Sequence, residues 1–548
     1  MKIRQANGTA RFHHNRMRLV LAIVAAMVLT VSATSALAGV VRASAPRLVS
    51  GPDPLPNMED PNHCGSAAGT LNAPNEYDRA GWETEPVLAV DPTDSDVLAT
   101  AWTQAWADAI AVGFSTDGGE TWSEVVPPTS ICTPGGSEKY DKGALDPWLS
   151  FGPPFGAASQ GIAYLSSMVY GYEDKEKGSA GGQNMAFLLN RSLDGGRTWT
   201  QPAKPLDTAA APCTPVCRGT YLDTTHVVAD PRRPGYAYAA WTKGDLVGEP
   251  PAATTRHHYV SHTEDAGNNW SEPSQVPLSQ PDRFVPVGRL LALPDGTLVD
   301  VFSEVPASSQ GLTGPTKIMA SRSSDLGSTW APPVTIADPA DLEHVVYPSA
   351  AVAPDGTIYV SWVDIDIGES GFALKYSKST NGGSTWCEPG DNCGLGMVGE
   401  PITSPPATVG NTFLQAPRIS QSPALAVAAD GTVGVAFYDH RNDPGNDPPK
   451  ITDYWFRHSH NGGQNWEAEQ HIAGPFDKTS APSGGARSGG PGDLGGSSIA
   501  PFAVGFATVF PLAQPRSGAN FTLGSWATRE TSPEISTDIF FSRLQIKR

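Results

Sequence analysis

The densest run of reactive side chains in this sequence is Tyr438-Asp439-His440-Arg441-Asn442-Asp443-Pro444, where a phenol, carboxylates, an imidazole and a guanidinium stand together. Further polar points fall just ahead of apolar runs, at Glu83-Thr-Glu85, Leu145-Asp146, Tyr221-Leu-Asp223, Val346-Tyr347, Pro417-Arg418 and Gly492-Asp493. Others follow apolar runs, at Tyr170-Gly-Tyr172-Glu173-Asp174, Asp364-Ile-Asp366 and Thr528-Arg529-Glu530. Carboxyl and phenol groups can give or take a proton or attack an electrophilic carbon. Arginine adds a planar fork that makes bidentate charged bonds to anions. Other chemistries lack their patterns: there is no H-E-x-x-H, no G-x-S-x-G, no P-loop and no strand-to-helix G-x-G-x-x-G.

These residues need elements to position them, and a repeat supplies the elements. Ser115-Thr-Asp117-Gly-Gly119-Glu-Thr121-Trp122 returns at Ser192–Trp199, Thr263–Trp270, Ser323–Trp330, Ser379–Trp386 and Ser459–Trp466. The second copy carries Asp194, the third Asp265, the fourth Asp325, the fifth Asn381 and the sixth Asn461. Six copies cannot be chance, and internal repetition decides the fold before anything else does. The Asp or Asn side chain, with Ser or Thr, can bond to nearby backbone N–H groups and hold a tight turn shut. Glycine supplies positive φ, and the Trp offers a large apolar face to wedge against a neighbouring sheet.

Around each copy lie further strands. Pro86–Asp91, Trp148–Gly152, His226–Asp230, Leu290–Leu293, Ala350–Ala353 and Leu425–Asp430 are apolar strands that end at Asp-Pro, Gly-Pro, Pro-Asp-Gly or Asp-Gly turns. Val97–Trp102, Ile162–Leu165, Tyr236–Trp241, Leu298–Phe302, Ile358–Trp362 and Val433–Phe437 return from those turns. A seventh unit without the corner reads as strands at 502–506, 521–526 and 538–541. The predicted fold is therefore all-β, a propeller of four-stranded antiparallel blades, seven in number, with six as the alternative. A strand from Arg47-Leu-Val49 could complete the last blade and close the ring, removing open edges. The polar points above then fall on the face opposite the corners, at the mouth of the channel, where a ligand site is expected.

The S-x-D-x-G-x-T-W pattern resembles the Asp box, or bacterial neuraminidase repeat, of sialidase-like β-propellers. In that family the boxes lie on the outer rim, away from the substrate. The resemblance covers most of the chain after the leader. It implies three arginines around a sugar carboxylate, a Tyr paired with a Glu as nucleophile, and an Asp as acid/base, with Tyr an unusual glycosidase nucleophile. Carried over, Arg418, Arg441 and Arg529 bind the sugar, with Glu85 and Asp223 beside them. Tyr438 or Tyr347 is the nucleophile, with Asp439 or Asp146 near. The family's Phe/Tyr-Arg-Ile-Pro motif is missing, Pro417-Arg418-Ile419 being a scrambled version, and Tyr438 precedes Arg441 where the family's Tyr follows its arginines.

Composition sets the compartment. Arg11, Arg16 and Arg18 precede an apolar run from Leu19 to Val31, and Ala36-Leu-Ala38 follows, which reads as a signal peptide over 1–38. Residues 39–80 read as an irregular N-terminal segment with the closing strand, and 81–548 as the propeller. Residues 1–38 carry five basic and no acidic residues, leaving 32 basic against 56 acidic and a formal charge of −24. That argues against nucleic acid or anionic lipid as partner and predicts a secreted, extracellular monomer with no membrane span after cleavage. Six cysteines in an exported chain suggest disulfides, Cys213–Cys217 and Cys387–Cys393 locally and Cys64–Cys132 by elimination. Zinc is disfavoured because C-x3-C and C-x5-C lack paired spacing and attendant His. No cofactor is expected; Ca²⁺ on the oxygen ligands Asp364, Asp366 and Asp439 to Asp447 is the one metal the loops could take.

The expected function is action on, or binding of, a glycan or cell-surface polysaccharide, with exo-glycosidic hydrolysis as the enzymatic form. The alternative is a non-catalytic extracellular propeller that binds protein or polysaccharide. A hydrolase predicts arginines and a Tyr–carboxylate pair in one pocket; a binding module predicts a shallow mouth without them.

Overall fold

The structure, a computed structural model, describes residues 40–51, 54, 83–104, 109–129, 133, 140, 143–172, 183–200, 203–211, 217–248, 252–306, 316–338, 347–366, 371–387, 423–444, 451–477, 496–502, 504–515 and 535–547. Residues 1–42 and 545–548 form a small separate unit, of which 40–42 and 545–547 are described. Residues 43–544 form the unit that holds the blades. Among the described residues there is no α-helix, and no helix long and apolar enough to cross a membrane.

Seven antiparallel sheets make the blades, each named here from its inner strand outward. Blade one runs Glu83–Val90, Leu98–Gln104, Ala109–Ser115 and Ser123–Val125, and blade two Gly143–Gly152, Ile162–Tyr172, Gln183–Ser192 and Lys204–Ala211. Blade three is Cys217–Ala229, Ala237–Gly248, Ala252–Thr263 and Ser274–Gln275. Blade four is Gly288–Ala292 with Arg283–Phe284, then Leu298–Pro306, Lys317–Ser323 and Val334–Ala337. Blade five has Ser349–Val352, Ile358–Asp366 and Gly371–Ser379 among the described residues, and blade six has Ala424–Val427, Val433–Asp439, Ile451–Ser459 and Gln470–Asp477. Blade seven is Ser498–Pro501, Gly505–Pro515 and Ile535–Lys547. Arg47 and Leu48 pair with Phe541 and Phe540 as its outer strand. Each inner strand touches the next, and that of blade seven returns to that of blade one, so the ring closes.

In the last blade the sequence reading fails in detail. The stretch read as the strand 502–506 is not one strand: the Phe502 N–H bonds to the Gly505 carbonyl, Val504 is 70% exposed, and Gly505 and Phe506 open the next strand. Its apolar residues flank a hairpin, with strands on either side. The strand read at 521–526 lies outside the described residues. So do residues 1–38, the stretch read as a signal peptide, and Cys64, Cys132, Cys213 and Cys393. Cys217 opens the inner strand of blade three, and Cys387 follows Trp386 and is buried. Among the described residues no group of three or more His, Cys, Asp or Glu could hold a metal ion.

The repeated corners are closed by their own side chains. At the first, Ser115 Oγ lies 2.8 Å from Asp117 Oδ1 and accepts the Gly119 N–H at 2.9 Å, while Asp117 Oδ1 accepts the Thr121 N–H at 2.9 Å. The same set recurs in the fourth copy, through Ser323, Asp325, Gly327 and Thr329. These bonds hold the Asp117 and Asp325 carboxyls below the usual range. Each Trp docks on the preceding blade. Trp122 meets Phe541 of blade seven edge-on at 5.2 Å, Trp199 joins Ala99 and Val112 of blade one, and Trp466 meets Tyr376 of blade five at 5.6 Å. Aromatic edges wedged between sheets thus fix the order of the blades as well as burying apolar area.

Register fixes the two faces. In blade six Val433 pairs with Ser459, where the corner begins, and Asp439 pairs with Asp453 at the other end. Leu98–Ser115 and Gln104–Ala109 give the same arrangement in blade one. Corners and 1–2 turns therefore share one end of the blades. The starts of the inner strands share the other. Toward the corner end the inner strands line a channel of about 300 Å³, with Leu88, Val90, Leu149, Phe151, Val427 and Ile499 among the residues of its wall.

Candidate active site at the channel mouth

The inner strands of blades one, two and three each carry one residue more than the partner strand can pair. Pairing steps from Thr84 to Val87, from Leu145 to Trp148 and from Asp223 to Thr225. At each bulge a non-glycine residue has positive φ: Glu85 at 59°, Asp146 at 52° and Thr224 at 38°. Such conformations cost about 1–3 kcal/mol each and persist only where the surroundings enforce them. Pro86 and Pro147 suit the positions, because proline has no N–H to give to a ladder. A bulge bends the strand and re-aims a side chain. Repeated in three neighbouring blades, it brings Glu85 and Asp223 within electrostatic reach of Asp146.

The electrostatics record that convergence. Burial first, then the charges of Glu85 and Asp223, push the Asp146 carboxyl well above the usual carboxylate range. The Thr224 N–H and Arg289 pull the other way without cancelling the effect. Asp146 therefore keeps a proton that an exposed aspartate loses. Its two neighbours are held differently. Glu85 Oε2 accepts the Thr103 hydroxyl at 3.2 Å. Asp223 Oδ2 lies 2.9 Å from Arg256 Nη2, and Asp223 Oδ1 accepts the Thr224 N–H at 3.0 Å.

Arg256 also donates through Nε to the Tyr221 hydroxyl, and its guanidinium lies 4.9 Å from the centre of that ring. The row across blade three is Tyr221, Gly244, Arg256. A Cβ on Gly244 would stand 2.7 Å from the Tyr221 ring and 2.1 Å from the Thr255 carbonyl oxygen, so glycine leaves the gap the contact needs.

Arg289 enters the inner strand of blade four. Its guanidinium stacks 4.4 Å over the Trp148 ring and donates to the Gly288 carbonyl at 3.2 Å, and it forms no ion pair with the described residues. Burial pulls its pKa down to about 10, against the pull of Tyr347 and Asp146. Tyr347, two residues ahead of the inner strand of blade five, is within electrostatic reach of both Arg289 and Arg256. Beneath this layer the His226 ring lies 4.3 Å from Trp148. Burial, with Arg289 and His258 nearby, keeps that imidazole neutral by holding it well below its ordinary range. His258 Nδ1 is 2.6 Å from Asp300 Oδ2 in the interior.

Of the residues singled out in the sequence, Glu85, Asp146, Asp223 and Tyr347 are brought together. Tyr438 is not with them. Its hydroxyl donates to the Pro511 carbonyl at 2.8 Å, its ring packs against Tyr454 and Phe476, and burial, with Tyr454, pushes the phenol well above its usual range. Strand alternation explains the correction: with Asp439 turned to the half-buried side, Tyr438 faces the core. Asp439 and Arg441 pair with each other, and Arg441 also binds Glu469 and stacks 4.1 Å over Trp455 in the outer half of blade six. Those contacts occupy the guanidinium. Arg418 and Arg529 lie outside the described residues. Tyr438→Phe should therefore leave any turnover unchanged and cost about 1 kcal/mol in urea unfolding, the worth of one buried hydrogen bond.

Arg256 and Arg289 were missed as site residues, and Tyr221 was marked only as a polar point beside Asp223. A signal existed for Arg289: Gly288-Arg289 precedes Leu290-Leu-Ala in the position Glu85 holds before Pro86-Val-Leu. None existed for Arg256, whose role depends on the Gly244 gap across the sheet.

No family model matches the chain, and no curated protein does. Among solved structures, the chain is similar to the Penicillium chrysogenum alpha-L-arabinanase complexed with arabinobiose at 16% identity, over 65% of this chain and 88% of that one, with a TM-score of 0.39. It is similar to the leech intramolecular trans-sialidase at 14% identity, over 79% and 65%, with a TM-score of 0.37. It is similar to the Trypanosoma rangeli sialidase at 12% identity, over 78% and 56%, with a TM-score of 0.38. At these identities and TM-scores the likeness carries no argument about activity. The architecture itself, seven blades with a Trp-anchored corner after the third strand of six of them, fits a sialidase-like propeller.

Proposed function

We propose that the protein is an exported glycoside hydrolase acting at the mouth of its propeller channel. The observation that carries this reading is the gathering around a proton-bearing Asp146 of Glu85, Asp223, Arg289 and Tyr347, which with it lie in or just ahead of the inner strands of blades one to five, joined by Arg256 from the third strand of blade three. Cleaving a glycosidic bond needs a proton for the leaving oxygen and negative charge or a nucleophile near the anomeric carbon. Asp146 is the acid, since a carboxyl that keeps its proton can protonate the leaving oxygen near neutrality. Tyr347 is the nucleophile, with two guanidiniums in reach of the charge that shifts during attack. Glu85 and Asp223 hold sugar hydroxyls and oppose the positive charge of an oxocarbenium-like transition state.

The test is release of a fluorogenic aglycone from a panel of sialosides and neutral pyranosides and furanosides by the full chain, with glycan-array binding in parallel. Turnover that disappears in Tyr347→Phe supports the assignment. Glycan binding without turnover replaces it by the binding-module reading, and neither binding nor turnover removes the glycan altogether. Export is checked separately, by N-terminal sequencing of protein recovered from the medium, which should begin at residue 39.

A further inference from the structure

Three carboxyl groups meet at the mouth, and something must determine which of them carries the proton. We propose that Arg256 is the positioning residue for this choice: held between Asp223 and Tyr221 across the Gly244 gap, it fixes the Asp223 carboxylate and leaves Asp146 as the acid. The proposal rests on the reading of Asp146 as proton donor given above.

The geometry is specific. Asp223 and Asp146 come from equivalent bulges in adjacent blades, each next to a residue of positive φ or bearing one itself. They sit differently in those bulges, Asp146 being the unpaired residue of positive φ while Asp223 still pairs with Thr242 and precedes Thr224, which has the positive φ. They differ in their cations. Asp223 has Arg256 at 2.9 Å, whereas Asp146 has no ion pair with the described residues. Arg256 is itself over-determined: its side chain is 11% exposed, its Nε donates to Tyr221, and the ring stacks beneath it. A lysine could supply the charge but not the fork that serves a carboxylate and a hydroxyl together. Gly244 is what lets Tyr221 approach closely enough to complete the clamp. The groups that act on Asp146 are Glu85 from blade one, Asp223 and the Thr224 N–H from blade three, and Arg289 from blade four, with Tyr347 of blade five acting on Arg289. Of these, Asp223 is the one Arg256 neutralises.

Removing the guanidinium takes from Asp223 the cation that favours its charged form, so Asp223 now shares the proton with Asp146 and the pair holds it more tightly. The experiment compares wild type, Arg256→Met, Arg256→Lys and Asp146→Asn by the alkaline limb of the pH–rate profile and by infrared titration of protonated carboxyl groups. The band lost in Asp146→Asn identifies that residue. In Arg256→Met, limb and band should move to higher pH by about half a unit or more. In Arg256→Lys both should stay near wild type while kcat/KM falls about tenfold at unchanged KM, because charge is kept and geometry is lost. Limb and band unmoved in a folded Arg256→Met overturn the proposal and leave Arg256 a structural residue. Should Arg256→Met fail to fold, Tyr221→Phe removes only the hydroxyl partner; a smaller upward shift is expected, and no shift overturns the proposal. If the wild type hydrolyses no glycoside, the infrared band alone decides, so loss of the hydrolase reading and loss of this inference are separate results.

Discussion

Replacing Asp146 by Asn should remove glycoside turnover and at the same time make the protein more stable at neutral pH. The first half follows from losing the proton donor: general acid catalysis contributes typically about 10²–10⁴-fold, and kcat should fall by that order. The second half follows from linkage. The folded-state pKa of Asp146 is raised above its unfolded value by burial, with Glu85 and Asp223 adding to it. A carboxyl of this kind gives its full stability below the unfolded pKa of about 3.9 and loses it as pH rises through the folded pKa. Wild type is therefore penalised at neutral pH by a group that resists ionising. Asn, which never ionises, escapes the penalty. It also tolerates the φ of 52° at this bulge, since Asp and Asn are both enriched in the left-handed region, and its side-chain oxygen can still accept the Thr224 N–H. Thermal melts at pH 4, 7 and 9 with parallel kinetics check both halves. Below pH 4 the two proteins should melt alike, and the gap should open as pH rises. A variant that keeps wild-type kcat, or that melts lower than wild type at pH 7, would sink the assignment of Asp146.

Gly119→Ala should be among the most destabilising single substitutions away from the mouth, costing about 2–4 kcal/mol. Gly119 has a φ of +81°, where any side chain is strained, and an added Cβ would come within 2.4 Å of the Phe541 ring. Phe541 is fully buried and meets Trp122 edge-on at 5.2 Å, so the ring has nowhere to retreat without disturbing the seam between blades seven and one. Backbone strain of about 1 kcal/mol and an overpacking cost of about 1–3 kcal/mol both apply. Gly267→Ala separates the two terms. Its φ is +82°, but the nearest contact of a Cβ is Tyr164 at 3.6 Å, an ordinary distance. That variant should cost about 1 kcal/mol from strain alone. Equal losses for the two in urea unfolding would show that the blade seam tolerates the wedge. A larger loss for Gly119→Ala would locate the weak point of the ring where its two ends meet.

The corners were legible because everything that makes them lies within eight residues. Ser, Asp, Gly and Thr close the turn on one another, and the Trp follows at a fixed offset, so local spacing carried both turn and wedge. The apolar strands around them were legible through their bounding turns, and together these gave the blades and their number. Blade seven, which lacks a corner, is where the strand reading slipped, at 502–506. The mouth was legible in part. Glu85, Asp146, Asp223 and Tyr347 stand ahead of apolar strands, and the chain order alone marks that position.

Near neighbours along the chain thus set the repeated local unit of a strand, a tight turn and an aromatic anchor. Which polar residues meet depends instead on contacts between blades and across strands. Asp146 and Glu85 are brought together by the packing of adjacent inner strands and by matching bulges, and a single extra residue in a strand changes where a side chain is aimed. Arg256 reaches Tyr221 through an absent side chain at Gly244, a contact made across strands and invisible along them. Tyr438, the most reactive-looking phenol in the sequence, went to the core because alternation, not chemistry, chooses the face of a strand residue.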